Sequence, residues 1–145
     1  MIFKQWQHVL DGIKSQSRRL VQPGDFCPLM IEDNCIGVER NGRLLWQVGN
    51  TYAIQPGHGK KAVGHIYITR IRRERLQDIS FEDMLCEGYP IALFSYTDNF
   101  DKNPTVRDWF ISLWDSINAK EGTRWADSPD VWVLTFECLT SQDAL

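Results

Sequence analysis

The sequence predicts a small α+β fold, a barrel-like β-sheet with helices packed outside it. Three observations carry that expectation. Strand-like segments come from distant parts of the chain, around residues 15–20, 44–55, 63–71 and 131–139. Short helical segments interrupt them, and the segments at 104–119 and 131–139 each carry their apolar residues on one side. A helix or strand of that kind must bury its apolar face against another layer. At 145 residues, with no internal repeat and no linker, the chain is expected to form one domain over residues 1–145.

Phe3, Trp6, Val9, Leu10 and Ile13 recur at helical spacing, and Gly12 marks the end of that first helix. Ser15 to Leu20 reads as extended. Residues 22–43 carry turn signals at Pro23-Gly24-Asp25, Asn34, Gly37 and Asn41-Gly42, and are expected to form an irregular insertion with a short hairpin. Leu44 to Val48 and Thr51 to Gln55 flank Gly49-Asn50, a candidate two-residue hairpin turn. Pro56 to Lys61 is a basic, glycine-rich loop. In Val63 to Ile71, Ile66 and Ile68 lie on one face and Val63, Tyr67 and Ile71 on the other, which predicts a strand buried on both sides.

Ser80-Phe81-Glu82-Asp83 resembles a capping box, with Ile79 and Met84 at the staple positions, and Gly88 should end that helix. Asn103-Pro104 opens another helix. Its apolar face of Val106, Trp109, Phe110, Leu113, Trp114 and Ile117 is assigned to core packing, with contact to the barrel through Trp109 and Leu113. Gly122 follows as a terminator. The final strand runs from Val131 to Leu139 and points Trp132, Leu134, Phe136 and Cys138 one way.

Charged residues make up 24% of the chain, as in folded proteins. A formal net charge of −3 argues against a protein that coats nucleic acid non-specifically, but permits a local basic groove. Cys27, Cys35, Cys86 and Cys138 have no C-x-x-C spacing and no secretory segment before them, so free thiols in a cytoplasmic protein are expected. With His8, His58 and His65 they show no metal-ligand spacing, and neither a metal nor another cofactor is expected. No apolar run approaches a membrane span.

The motif with the most chemistry is Lys14-Ser15-Gln16-Ser17-Arg18-Arg19. Such a cluster can hold an anion or place a lysine beside a hydroxyl nucleophile. It can equally be a solvated basic edge strand. A serine attacks only when a base takes its proton, and Lys14 qualifies only if burial or the cations Arg18 and Arg19 depress its pKa. Arg19 shares a strand face with Ser17. Glu87 ends a helix, where the dipole disfavours a carboxylate. Either a functional role or an ion pair tying helix to strand explains it there. For phosphate, Arg18, Arg19, Lys60 and Lys61 are rim candidates, with backbone amides near Gly57 and Gly59. Trp46 and Tyr52 are candidates to stack on a base. Trp125, read as a loop residue, is also placed near a ligand, whereas Trp6, Trp109, Trp114 and Trp132 read as core.

Several landmarks occur in order: Asp11-Gly12-x-Lys14, the Ser17-Arg18-Arg19 strand, Asp78-Ile79-Ser80 with Glu87-Gly88, and Pro129-x-Val131-Trp132-Val133-x-x-Phe136. Together they resemble the ASCH domain family of the PUA-like superfamily. The match weakens over residues 22–43 and 89–103. Tyr52-Ala53-Ile54-Gln55-Pro56-Gly57 resembles the members found in phage and prophage genomes. The resemblance implies a small β-barrel with a cleft for RNA or a nucleoside. One group of relatives hydrolyses acetylcytidine with a lysine, a threonine three residues later and a glutamate ending the next helix. The matching positions are Lys14, Ser17 and Glu87, with Arg19 at a nearby arginine; serine replaces threonine and keeps a hydroxyl. The function expected first is RNA or modified-nucleoside binding. The alternatives are an amidohydrolase acting on acylated cytidine, a ribonuclease, which would lack a histidine pair, or a phage interaction module.

Overall fold

Local chemistry explains each element of the computed structural model, which describes residues 1–90 and 104–139. Helix α1 (Trp6–Leu10) buries Val9 and ends before Gly12, whose φ of 76° no β-carbon residue readily adopts. Strands β1 (Gln16–Leu20), β2 (Asp25–Phe26), β3 (Met30–Ile31), β4 (Asn34–Cys35), β5 (Gly37–Arg40), β6 (Arg43–Gln47), β7 (Thr51–Ile54) and β8 (Gly64–Arg75) follow. Helix α2 (Phe81–Cys86) starts at Ser80, whose hydroxyl accepts the Asp83 amide as the sequence predicts. Helix α3 (Pro104–Ile117) and strand β9 (Asp130–Leu139) complete the order.

The larger sheet runs β1-β9-β8-β4-β3, with β7 also on β8; β2, β5 and β6 make a second sheet. All of these strand pairs are antiparallel. Neither sheet closes on itself, so the expected barrel is instead an open pair of sheets. The reason lies in β8, whose first half pairs with β7 and whose Ile71 pairs with Cys35 of β4. From β4 the chain passes into the second sheet, and among the described residues β1 is left as a free edge.

Strand β9 separates two cores. Trp132, Leu134 and Phe136 face Ile66, Ile68 and Ile71, with Cys138 packed beside them, while Val131 and Val133 face α3 and Trp125. Strand β8 is buried on one face only, contrary to expectation: Val63 and Tyr67 are exposed, and Ile66, Ile68 and Ile71 are buried. The register shifts between Ile68 and Arg70, and this extra residue turns odd-numbered Ile71 onto the face of its even-numbered neighbours.

The predicted 44–55 hairpin does not form. Strand β6 pairs with β5, and β7 with β8. The Gly49 amide donates to Ile68 and the Ile68 amide to Asn50, so this turn carries the chain from one sheet to the other. The true hairpin turns at Asn41-Gly42, with φ of 54° and 81°, the positive pair of a type I′ turn. In α3, Val106, Phe110 and Trp114 are buried at i, i+4 and i+8, and Trp109 packs partly against them. Leu113 and Ile117 instead line a cleft. Calls on residues 91–103 lie outside the described residues.

Two of the four cysteines depart from the free-thiol expectation. Cys27 and Cys35 form a disulfide, with their α-carbons 6.1 Å apart, within the range a disulfide spans. The turn at Glu32-Asp33 folds β3 back on β4 and brings the two together. Cys86 and Cys138 are free and half-buried. Among the described residues no helix is long and apolar enough to cross a membrane. Alkylation of the unfolded, unreduced protein should therefore label two thiols, Cys86 and Cys138, and labelling after reduction should reach all four. Four labels without reduction would contradict the pairing.

Candidate functional site: a polar cleft along a sheet edge

The basic hexapeptide becomes the edge strand β1 and the turn before it. Strand alternation sends Ser17 and Arg19 to one face and Gln16 and Arg18 to the other. The Lys14 amide donates to His8 at the end of α1, and the Ser15 amide donates to Cys86 at the end of α2. Lys14 and Glu87 therefore meet as an isolated antiparallel bridge. Gly88, at φ 111°, permits this approach, because a β-carbon there would stand 3.3 Å from Lys14 Cβ.

Lys14 Nζ donates to Glu87 Oε2 at 2.8 Å and to the Glu87 carbonyl at 3.0 Å. Both residues are buried. The ion pair that ties helix to strand is thus present. Burial pushes the Lys14 amine below the ordinary lysine value; Glu87 opposes that shift, and Arg19 and Arg18 add to it.

Arg18 takes the other Glu87 oxygen. Its Nη1 donates to Glu87 Oε1 at 3.1 Å and to Gln16 Oε1 at 3.0 Å, and its Nη2 to Glu74 Oε1 at 2.6 Å and Asp83 Oδ2 at 3.2 Å. Arg72 joins from β8 through Asp83 and Glu74. Lys14, Arg18 and Arg72 thus balance Glu74, Asp83 and Glu87. Burial works to raise the Asp83 carboxyl, but Arg18, Arg72 and the Gln16 amide outweigh it and hold Asp83 below the ordinary aspartate value. On the other face, Arg19 Nε donates to Ser17 Oγ at 3.0 Å, Nη2 donates to the Ile2 carbonyl, and the guanidinium stacks over Phe3 at 5.2 Å.

A cleft of about 450 Å³ follows the free edge of β1 and brings Lys14, Ser17, Arg18, Arg19, Glu87 and Trp46 together. One wall comes from α3, through Phe110, Leu113 and Trp114; the opposite wall includes Phe3, Arg40 and Trp46. Arg40 is held by Asp25 at 2.6 Å, and Asp25 also accepts Trp132 Nε1 at 2.9 Å, which fastens the small sheet to the large one. Burial works to raise the Asp25 carboxyl; the bonds from Arg40, Gln22 and Trp132 overcome it, and its pKa falls.

Other expected ligand residues lie elsewhere. Lys60 and Lys61 are exposed on the loop that carries His58 to the cleft. Tyr52 accepts the Gln47 amide and packs against the first core. Trp125 sits in a 3₁₀ turn, buried beneath α3 with its ring edge-on to Phe110, rather than in an open loop. The sequence reading did not anticipate Gln16, Arg72, Glu74 and Asp83. Their alternation with exposed Arg73 and Arg75 was the available signal for 72 and 74, which share one strand face.

No family model and no curated protein matches the chain. Solved structures do. An ASCH domain from Lactobacillus crispatus JV V101 superposes with a TM-score of 0.50 at 16% identity, covering 92% of this chain and 69% of that one. A DUF984 protein from Enterococcus faecalis V583 gives a TM-score of 0.56 at 12% identity, covering 94% of this chain and 70% of that one. The fold is that of an ASCH domain. At these identities the likeness is one of architecture alone.

Both depressed aspartates predict acid sensitivity. Their stabilisation is complete above the unfolded aspartate pKa of about 3.9 and is lost as pH falls through the lower folded values. Urea unfolding from neutral to strongly acidic pH should show a falling midpoint below about pH 4. Asp25→Asn and Asp83→Asn should each lower neutral stability and make that acid decline shallower. An unchanged decline in both variants would remove these ion pairs from the account.

Proposed function

We propose that this ASCH-fold protein binds a single nucleoside, free or presented by RNA, in the cleft along β1. The observation that carries this reading is the convergence of Lys14, Ser17, Arg19 and Glu87 with the rings of Phe3 and Trp46 on one cleft. A volume of about 450 Å³ suits a small molecule. Aromatic faces can stack on any base, while a few polar groups select its edge. Lys60 and Lys61, exposed on the loop that carries His58 to the cleft, suit flanking phosphates. With a net charge of −3, such contacts would act locally rather than through a field over the whole protein.

A second reading, hydrolysis of an acylated cytidine, is favoured by one specific feature. Ser17 Oγ accepts from Arg19, which leaves its own O–H to donate, and burial eases deprotonation of nearby Lys14. In that reaction Ser17 Oγ bonds to the acyl carbon as its proton passes to neutral Lys14. The C–N bond breaks, the amine leaves with that proton, and water then releases the acid from the serine ester. Glu87 positions Lys14 throughout.

Titration with N4-acetylcytidine, read by tryptophan fluorescence and by acetate release, tests both readings. The parent protein should bind, and Trp46→Ala should weaken binding by about 1–3 kcal/mol. Acetate release that Ser17→Ala abolishes would establish the hydrolase; binding without release would leave a binding module. A parent protein that binds neither acetylated nor plain nucleosides nor short single-stranded RNA would overturn the proposal.

A further inference from the structure

Arg19 has five N–H donors. Its Nε–H goes to Ser17 Oγ at 3.0 Å and one N–H of Nη2 to the Ile2 carbonyl at 2.8 Å, while the guanidinium stacks over Phe3. Among the described residues, neither N–H of Nη1 meets an acceptor, and no carboxylate forms an ion pair with this guanidinium. Nη1 is also open. The sealed side-chain nitrogens that lack a partner among the described residues are His8 Nδ1 and Arg18 Nε. Nη1 of Arg19 lacks a partner without being sealed, because Arg19 is only half-buried and lines the cleft.

The other enclosed cations of the cleft each have a carboxylate. Lys14 has Glu87, Arg18 has Glu74, Asp83 and Glu87, and Arg40 has Asp25. Arg19 has none among the described residues, and exposed Lys4 adds a second unpaired cation to the same lining. Burial pushes Arg19 below the ordinary arginine value, and the charge that offsets this is Glu87. Both side-chain oxygens of Glu87 already serve Lys14 and Arg18. A half-buried cation without its own counter-ion carries a desolvation cost that an anion brought against it relieves. The bonds to Ser17 and Ile2 and the Phe3 ring hold the guanidinium in place beforehand, which spares the ordering cost of binding. Guanidinium donors match the oxygens of a phosphate. Ser17 stands beside them: its Oγ accepts from Arg19, so its own O–H is left to donate to the same anion.

We propose that Arg19 Nη1 and the Ser17 hydroxyl hold a phosphate group of the bound ligand, so that the cleft takes a nucleotide in preference to a nucleoside. This rests on the nucleoside reading of the same cleft and adds the anionic group that accompanies the base. Exposed Lys60 and Lys61 are then left for phosphates farther along a chain. A phosphate held there engages the hydroxyl that acyl transfer would need, so the assignment goes with binding and against hydrolysis. The phosphate has two sources, the terminal group of a mononucleotide and an internucleotide linkage of RNA, and both present the same anionic oxygens.

Calorimetric titration of the intact protein at fixed ionic strength tests this, with uridine, cytidine, their 5′-monophosphates and the dinucleoside monophosphate UpU as probes. A 5′-monophosphate, UpU or both should bind about tenfold to a hundredfold more tightly than the plain nucleoside, as expected for hydrogen bonds to a charged donor. Which of them gains identifies the source of the phosphate. In Arg19→Gln that advantage should disappear, and in Ser17→Ala it should shrink. Where Arg19→Gln does not fold, the Arg19 Nε–H signal in ¹H–¹⁵N spectra of the parent protein decides instead, and should move far more with the phosphate-bearing ligand than with the plain nucleoside. Nucleosides that bind as tightly as every phosphate-bearing probe, or an advantage that survives in Arg19→Gln, overturn the assignment and leave the nucleoside reading standing. Failure of every nucleoside and nucleotide to bind the parent protein removes that reading and this assignment with it.

Discussion

Burial of the Arg18 guanidinium is the constraint on which the site depends. An ion taken out of water loses several kcal/mol of solvation that only close, well-placed partners restore. Arg18 finds them on two elements remote in sequence: Glu74 on β8, and Asp83 and Glu87 in and just after α2. One side chain therefore sets where α2 lies against β1. That placement delivers the second oxygen of Glu87 to Lys14. Removing one partner from such a group leaves an uncompensated charge and typically costs about 3–5 kcal/mol.

The sheet edge turns this cross-link into a cleft. Among the described residues, strand β1 pairs with β9 on one side only, and its two faces look toward different cores. Arg19 stacks on Phe3 of the first core, while Leu20 packs against the second. The cleft follows the seam between them. Its far wall stays in place because Asp25 joins Arg40 of the small sheet to Trp132 of the large one. Charged side chains on an edge strand usually protect it in solvent; here they are largely enclosed, and Arg18 and Arg19 are among the residues lining the cleft.

Much of this was legible in the sequence. The Ser80 cap and the termination at Gly88 depend on near neighbours and are found as read; β9 does point Trp132, Leu134 and Phe136 one way, but its other face is buried too, through Val131 and Val133. The cleft also gathers Lys14, Ser17, Arg19 and Glu87, a set that the family resemblance supplied and the residues alone did not. What was missed depends on distant pairing. Gly49-Asn50 looked like a hairpin because its flanks were strands, and nothing local reveals that they belong to different sheets. The bulge after Ile68 reverses the apparent facing of Ile71. Trp125 sits between polar residues in sequence, yet α3 covers it. Arg72 and Glu74 fall in a run of charges that reads as solvated until β8 is seen to extend beside Arg18.

The central claim is that Lys14 is a desolvated amine held in the cleft by Glu87 among nearby cations. Direct NMR titration of its Nζ measures that environment without reference to any ligand. The account predicts titration below the ordinary lysine value of about 10.4, and a further fall in Glu87→Gln, where the one opposing carboxylate is gone. A Lys14 amine that titrates in the ordinary lysine range, unmoved by Glu87→Gln, would contradict it.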